Sequence, residues 1–300
     1  MITLICKWRY IMIPITGHTK LTALLGSPVA HSISPSMHNE AFRLLGLDYV
    51  YLCFDVGEEG LPAAVQGLKT CGIRGFNLTM PNKNKAVELM DELSPAASLI
   101  DAINTVVNDN GRLIGYNTDG MGYMRAVQDA GYDLIGKTLT IMGAGGAATA
   151  ICAQAALDGV KDIHIFARKP SRFWDRTRRL VDNINHNLPC NAYLHENQDQ
   201  QALKIAISKS YLLLNATSLG MAPNTENAII TDTSIYHKDL IVSDVIYNPR
   251  ETRFLQEAKL AGCHTFNGMY MLLYQGAEAF RLWTGQDMPV EQIKAAFFSK

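Results

Sequence analysis

Two strand ends in this 300-residue chain carry groups that could move a proton. Gly75-Phe-Asn-Leu-Thr-Met80 reads as a strand and leads straight into Pro81-Asn82-Lys83, with the proline suited to the first turn of a following helix. Lys83 then stands just past the carboxyl end of a strand, where open α/β sheets place their ligands. Asn117-Thr118-Asp119-Gly120 stands at another strand end and starts a helix that runs through Ala130. A lysine and an aspartate so placed suggest an acid–base pair in a cleft. Each also has a plainer role. Lysines are mostly solvated, and an acid in the first turn of a helix is favoured by the helix dipole.

A different chemistry is written at Gly143-Ala144-Gly145-Gly146-Ala147-Ala148, which fits G-x-G-x-x-G/A with Ala148 in the last place. Thr138 to Met142 before it is a short apolar, β-branched run that reads as a buried parallel strand. Ala147 to Leu157 after it reads as a helix of small residues. Gly143 permits the tight turn, Gly145 lets the backbone approach a pyrophosphate, and the helix start offers unpaired N–H groups. A glycine triplet alone would be weak evidence; the strand and helix around it point to dinucleotide binding. Asp162 to Ala167 reads as the next strand. A carboxylate at its end would take a ribose 2′-hydroxyl, but the chain continues Arg168-Lys169-Pro-Ser-Arg172, without an acid. Three cations there favour a 2′-phosphate. Arg176, Arg178 and Arg179 are expected on a solvated helix face beside it.

A third group of polar residues follows the first strand, Leu21 to Gly26. Ser34 before Pro35 is a good helix start, with Ser34 as N-cap. Ser32 has no such duty, so the two hydroxyls could equally bind a polyol or a carboxylate. His31 and His38 lack a third partner for a metal.

The elements that must position these groups fill the whole chain. Further strands are expected over 48–56, 102–109, 112–116, 211–215, 240–245 and 264–266, with Asp109-Asn-Gly111 as a hairpin turn. Further helices are expected over 60–70, 269–283 and 289–298. A nucleotide fold opening near residue 138 leaves a long preceding part that must be a domain of its own. The expected architecture is therefore α/β in two domains facing each other across a cleft. Residues 21–118, completed by 268–300, are expected to form a three-layer α/β substrate domain; 119–267 a Rossmann-type dinucleotide-binding domain; and 1–20 an extension that begins upstream of an expected natural start at Met12. With 48% hydrophobic residues, 18% charged and a net charge of −1, the composition calls for neither nucleic acid nor an anionic membrane. Six scattered cysteines without a C-x-x-C pair suit reduced thiols in the cytoplasm.

Five separated motifs, with the glycine loop, make the chain resemble the shikimate dehydrogenases, their quinate/shikimate branch included, over nearly all of residues 20 to 297. They are His31-Ser-Ile-Ser-Pro35, Asn77-Leu-Thr-Met-Pro-Asn-Lys83, Ala102-Ile-Asn-Thr105, Gly115-Tyr-Asn-Thr-Asp119 and Tyr274-Gln275-Gly-Ala. The resemblance implies reversible reduction of 3-dehydroshikimate to shikimate by NADP, or by NAD, without a metal. It implies that Lys83 transfers the proton with Asp119 as partner. Ser32, Ser34, Thr79, Asn104 and Gln275 would bind the substrate's hydroxyls and carboxylate, and Tyr247 would line the cleft. The cofactor set would be Gly143, Ala144, Gly145, Gly146, Ala147, Arg168, Lys169 and Arg172, with Val245 and Gly268 toward the nicotinamide. Family members usually carry asparagine where Ala167 stands. Two other readings stay open: an NAD-using enzyme that prefers quinate, and a silent dinucleotide-sensing regulator, against which Lys83, Asp119 and Gln275 argue. A monomer or a homodimer is equally compatible.

Overall fold

The computed structural model describes residues 14–298, and the expected start at Met12 lies outside them. Strands and helices alternate to give two six-stranded sheets. The first is built from β1 (Lys20–Gly26), β2 (Tyr49–Asp55), β3 (Gly75–Leu78), β4 (Glu92–Leu93), β5 (Thr105–Asp109) and β6 (Arg112–Tyr116), in the order β2-β1-β3-β5-β6-β4. β5 runs antiparallel to both β3 and β6. The β5–β6 hairpin turns at Asn110 (φ 51°) and Gly111 (φ 93°), the mirror-image conformation that an Asn-Gly pair favours.

The second sheet is wholly parallel. Its strands β7 (Thr138–Met142), β8 (Asp162–Ala167), β9 (Asn191–Glu196), β10 (Leu212–Asn215), β11 (Ile241–Asp244) and β12 (His264–Phe266) lie in the order β9-β8-β7-β10-β11-β12. This is the doubly wound order, and the strand direction of travel reverses between β7 and β10, where such sheets hold a ligand at the carboxyl ends. The α/β class with a Rossmann-type second half is thus as expected.

Helices cover both faces of the first sheet. On one side α2 (Leu61–Thr70) packs Leu61 and Val65 against Ala23, Leu25 and Phe76. On the other, α1 (Ser34–Leu45) meets two helices from the end of the chain, α9 (Met269–Thr284) and α10 (Val290–Phe297). Their Leu273, Phe280, Trp283 and Ile293 are fully buried beside Leu24 and Tyr51. Each such side chain contributes roughly 1.5–3 kcal/mol by leaving water, enough to hold the return. The indole of Trp283 donates to Val106 O of β5 at 2.9 Å, and Arg74 donates to Trp283 O at 2.8 Å, which fixes the register of α9 on the sheet.

The helix α4 (Thr118–Asp129) joins the two halves. It crosses α9 so closely that a Cβ on Gly122 would lie 2.5 Å from the backbone nitrogen of Gln275. Only glycine fits there, and the crossing sets Gln275 and Asp119 in one cleft. Two expectations change at this level. Pro81 opens no helix: β3 ends at Leu78, a turn follows, and only a short 3-10 helix forms at Lys85–Leu89. The Asn82 side chain donates to Val56 O and that of Asn84 to Asp101 O, so side-chain bonds hold the turn in place of a helix. β4, β9 and the helices α3 (Pro95–Ile100), α7 (Gln200–Lys209) and α8 (Arg253–Leu260) are additional to the elements foreseen.

Candidate active site

The first α1 turn differs from its expected form. Ile33, in helical conformation, is the N-cap, and Ser34 is already the first helical residue. Ser32 takes the capping duty instead, its Oγ accepting the Ser34 N–H at 3.2 Å. The helix begins one residue early, so its first free N–H points back at residue 32. The Ser34 hydroxyl is thereby released to face Tyr51, whose phenol is pushed well up by burial while the nearby serine works the other way.

From Tyr51 a chain of buried hydrogen bonds runs to the Lys83–Asp119 pair. Tyr51 Oη donates to Asn77 Oδ1 at 2.8 Å, and Asn77 Nδ2 donates to Asn104 O at 3.1 Å and to Thr105 Oγ1 at 3.0 Å. The Thr118 N–H donates to Asn104 Oδ1 at 2.8 Å, fixing which way the amide points. Asn104 Nδ2 then donates to Asp119 Oδ1 at 2.8 Å. Lys83 Nζ occupies the other carboxylate oxygen, Oδ2, at 2.6 Å. The Asp119 side chain is 16% exposed and that of Lys83 32%. The pair is therefore partly screened from water yet open to the cleft. Lys83 is steadied through its own carbonyl, which accepts the Ile103 N–H at 2.9 Å. Behind this wall His38 stacks on Tyr51 at 4.6 Å, and burial pushes its imidazole down to about 3.

These groups surround a cavity of about 580 Å³ between the two sheets. Lys83, Asp119, Ser32, Ser34, Thr79 and Asn104 line its first wall, and Gln275 and Tyr247 reach it from the far part of the chain. Tyr247 is 51% exposed, at the cavity mouth. Gln275 donates from Nε2 to Leu272 O at 3.0 Å. Ala147, Val245 and Gly268 also line the cavity, so it opens onto the dinucleotide half. Asp244 braces that side, accepting from the Ile246 N–H, the Thr252 hydroxyl and the Asn215 amide. Burial pushes its carboxyl up to about 6. Asn77 also lines the cavity, beyond the expected site residues; its signal in the sequence is a polar side chain inside an otherwise apolar strand.

The rest of the glycine loop sits just beyond the cavity. Gly143 has φ 118°, a left-handed value that L side chains avoid, and its N–H donates to Phe166 O at 2.8 Å. Gly145 is the N-cap of α5 (Gly146–Asp158), and no side chain caps the helix. A Cβ on Gly145 or on Gly146 would meet nothing within 4 Å. Uncapped N–H groups beside an open cradle fit a pyrophosphate. Ala144 packs against Ala167 and Trp174. At the end of β8, Arg168, Lys169 and Arg172 are exposed. Lys169 is not available as foreseen: its Nζ lies 2.8 Å from Glu196 Oε1. That acid arrives from β9, far beyond the stretch that follows β8 in sequence. Arg176 also departs from the expected solvated face of α6 (Trp174–Asn187), because it turns inward and donates to Ile100 O.

Comparison with known proteins shows what the chain is similar to. Residues 24–106 match the family model of the shikimate dehydrogenase substrate binding domain, and residues 268–296 that of the shikimate 5'-dehydrogenase C-terminal domain. The chain is 51% identical over 284 residues to a shikimate dehydrogenase (NADP(+)) of Listeria monocytogenes, covering 95% of this chain and 97% of that one. It is 45% identical over 280 residues to a quinate/shikimate dehydrogenase of Escherichia coli, covering 93% and 97%. A crystal structure of shikimate 5-dehydrogenase from Listeria monocytogenes in complex with shikimate and NAD superposes with a TM-score of 0.93 at 51% identity, covering 96% of this chain and 99% of that one. The chain belongs to the shikimate dehydrogenase family.

Proposed function

We propose that this chain catalyses the reversible reduction of 3-dehydroshikimate to shikimate with NADP, or with NAD. The observation that carries the reading is the Lys83–Asp119 contact of 2.6 Å, on the wall of a cavity that Ala147 of the glycine-loop helix also lines. The bound nicotinamide supplies or accepts the hydride. Lys83 gives a proton to the carbonyl oxygen as negative charge develops there, and in the opposite direction it takes the hydroxyl proton. Asp119 holds the ammonium group in place, and Asn104 holds Asp119 through the other oxygen. Two fixed partners leave that carboxylate little freedom to rotate.

Ser32, Ser34, Thr79 and Gln275 bind the substrate's hydroxyls and carboxylate, and Tyr247 covers it at the mouth. Gly143 to Ala147 carry the pyrophosphate, Arg168 and Arg172 face the 2′ position, and Val245 and Gly268 flank the nicotinamide. Residues 21–118 with 268–300 make up the substrate part and 119–267 the dinucleotide part; α9, packed on the first sheet, supports that division. A cytoplasmic site suits the described cysteines, all of which are free thiols. No helix among the described residues is long and apolar enough to cross a membrane.

Initial rates with shikimate and with quinate, each against NADP and NAD, test the reading. Shikimate turnover exceeding quinate turnover is the expected result. A chain that binds dinucleotide but turns over neither acid would be a sensor rather than an enzyme.

A further inference from the structure

Sequence spacing finds no acid at the end of β8, yet the sheet delivers one from the side. The register pairs Ala167 of β8 with Glu196 of β9, and the Asn197 N–H donates to Ala167 O at 2.9 Å, so the two strands stay joined at their ends. Glu196 Oε1 therefore reaches Lys169 Nζ at 2.8 Å. Lys169 is held further by the Trp174 ring, 5.3 Å from its Nζ. Trp174 packs with Ala167 and Ala144, which ties this corner to the glycine loop.

We propose that Glu196 is a specificity-determining residue that limits the preference for NADP over NAD by holding Lys169 in an ion pair. The proposal rests on the dinucleotide reading above. Of the three cations after β8, the pair neutralises one, so that position offers no net charge to a 2′-phosphate. Arg168 and Arg172 remain, the latter lying over the Phe173 ring at 4.7 Å. Both partners of the ion pair have side chains 46% exposed. An exposed pair of this kind holds loosely, so Glu196 moderates the preference without abolishing it. An uncharged 2′-hydroxyl gains nothing from freeing Lys169, so NAD is the internal reference.

The test is equilibrium titration of the full chain with NADP and with NAD, read as dissociation constants, for the wild type, Glu196→Gln and the double variant Glu196→Gln with Lys169→Gln. Glu196→Gln should tighten NADP by about three- to tenfold, as expected for one charge near a dianion at an exposed site. NAD should move by less than about twofold, and the NADP gain should shrink as salt rises. The double variant should return NADP to near the wild-type value. An unchanged NADP constant in Glu196→Gln overturns the proposal, and so does a gain that survives intact in the double variant. If the wild type binds neither dinucleotide, the dinucleotide reading falls together with this one. If the wild type binds both and the ratio does not move, only the role of Glu196 falls.

Discussion

The two walls of the cleft hold their charged groups by different physical means. On the first wall, Asn77, Asn104, Asp119 and Lys83 form a chain of short contacts held by the Asn104 carbonyl just before β5 and the Thr118 N–H of α4. At the ribose end of the dinucleotide half, the cations are exposed, and one of them already has a carboxylate partner. The first arrangement fixes atoms to a fraction of an ångström, which proton transfer needs. The second supplies a field, which a phosphate needs and which tolerates the loss of a member. Substitutions should therefore be costly and specific on the first wall, and shallow and salt-dependent at the second site.

The sharpest way to break this contrast is Lys83→Ala. Removing the group proposed to exchange the proton should lower kcat by about 10²–10⁴-fold, the usual share of acid–base catalysis, with little change in KM. Steady-state oxidation of shikimate measures it. A near-normal kcat would take Lys83 out of the chemistry and leave the network without a purpose.

The platform beneath that wall should respond to acid. His38 is fully buried between Tyr51 and Phe280, and neither ring nitrogen has a hydrogen-bond partner. Its folded pKa is lowered to about 3 from 6.5 by burial. The unfolded chain therefore takes up the proton first, so the stability from a neutral His38 is complete above about pH 6.5 and is lost as pH falls toward about 3. This one group should account for about 2 kcal/mol of lost stability between about pH 7 and about pH 5. Denaturant unfolding of His38→Phe at both values should show that loss removed while the stack is kept. An equal acid loss in the variant would place the sensitivity elsewhere.

How much of this was readable from the chain follows the same division. The strands β8 and β12 and the β5–β6 hairpin were legible because local pattern and turn chemistry agree there. So were the positions of Lys83, Asp119 and the glycine loop, each announced by its place at a strand end. β9 was not, since its Asn-Ala-Tyr-Leu-His-Glu run lies at a sheet edge and mixes polar residues into the pattern. Missing β9 meant missing Glu196, because the register of a neighbouring strand is not a local property. The exchange of roles between Ser32 and Ser34 turned on a helix start displaced by one residue, finer than any cap signal resolves. Asn77 was seen as part of a motif but not as a link, because its partners come from β2 and β5.

Gln275 tests whether the substrate wall extends to the far end of the chain. It reaches the cavity only because Gly122 lets α9 approach α4. Its contacts to substrate would be made alike in the ground and transition states, so Gln275→Ala should raise KM for shikimate by about tenfold with kcat nearly unchanged. A fall in kcat with KM unchanged would make Gln275 part of the transition-state machinery and extend the fixed network onto α9.

The smallest effect is expected where the field is shared. Arg168 is exposed at the end of β8, and Arg172 stands close by in sequence. Losing one of several cations leaves the rest to attract the same phosphate, and solvent and salt weaken what each contributes. Arg168→Ala should therefore weaken NADP binding by about three- to tenfold at low salt, less at high salt, with NAD unaffected. Titration with both dinucleotides at two salt concentrations measures it. A loss of about a hundredfold that ignores salt would mean that Arg168 makes a fixed bidentate contact of the kind found on the opposite wall. The two ends of the cleft would then recognise their ligands by the same device, and the basic loop would be as finely built as the proton pair.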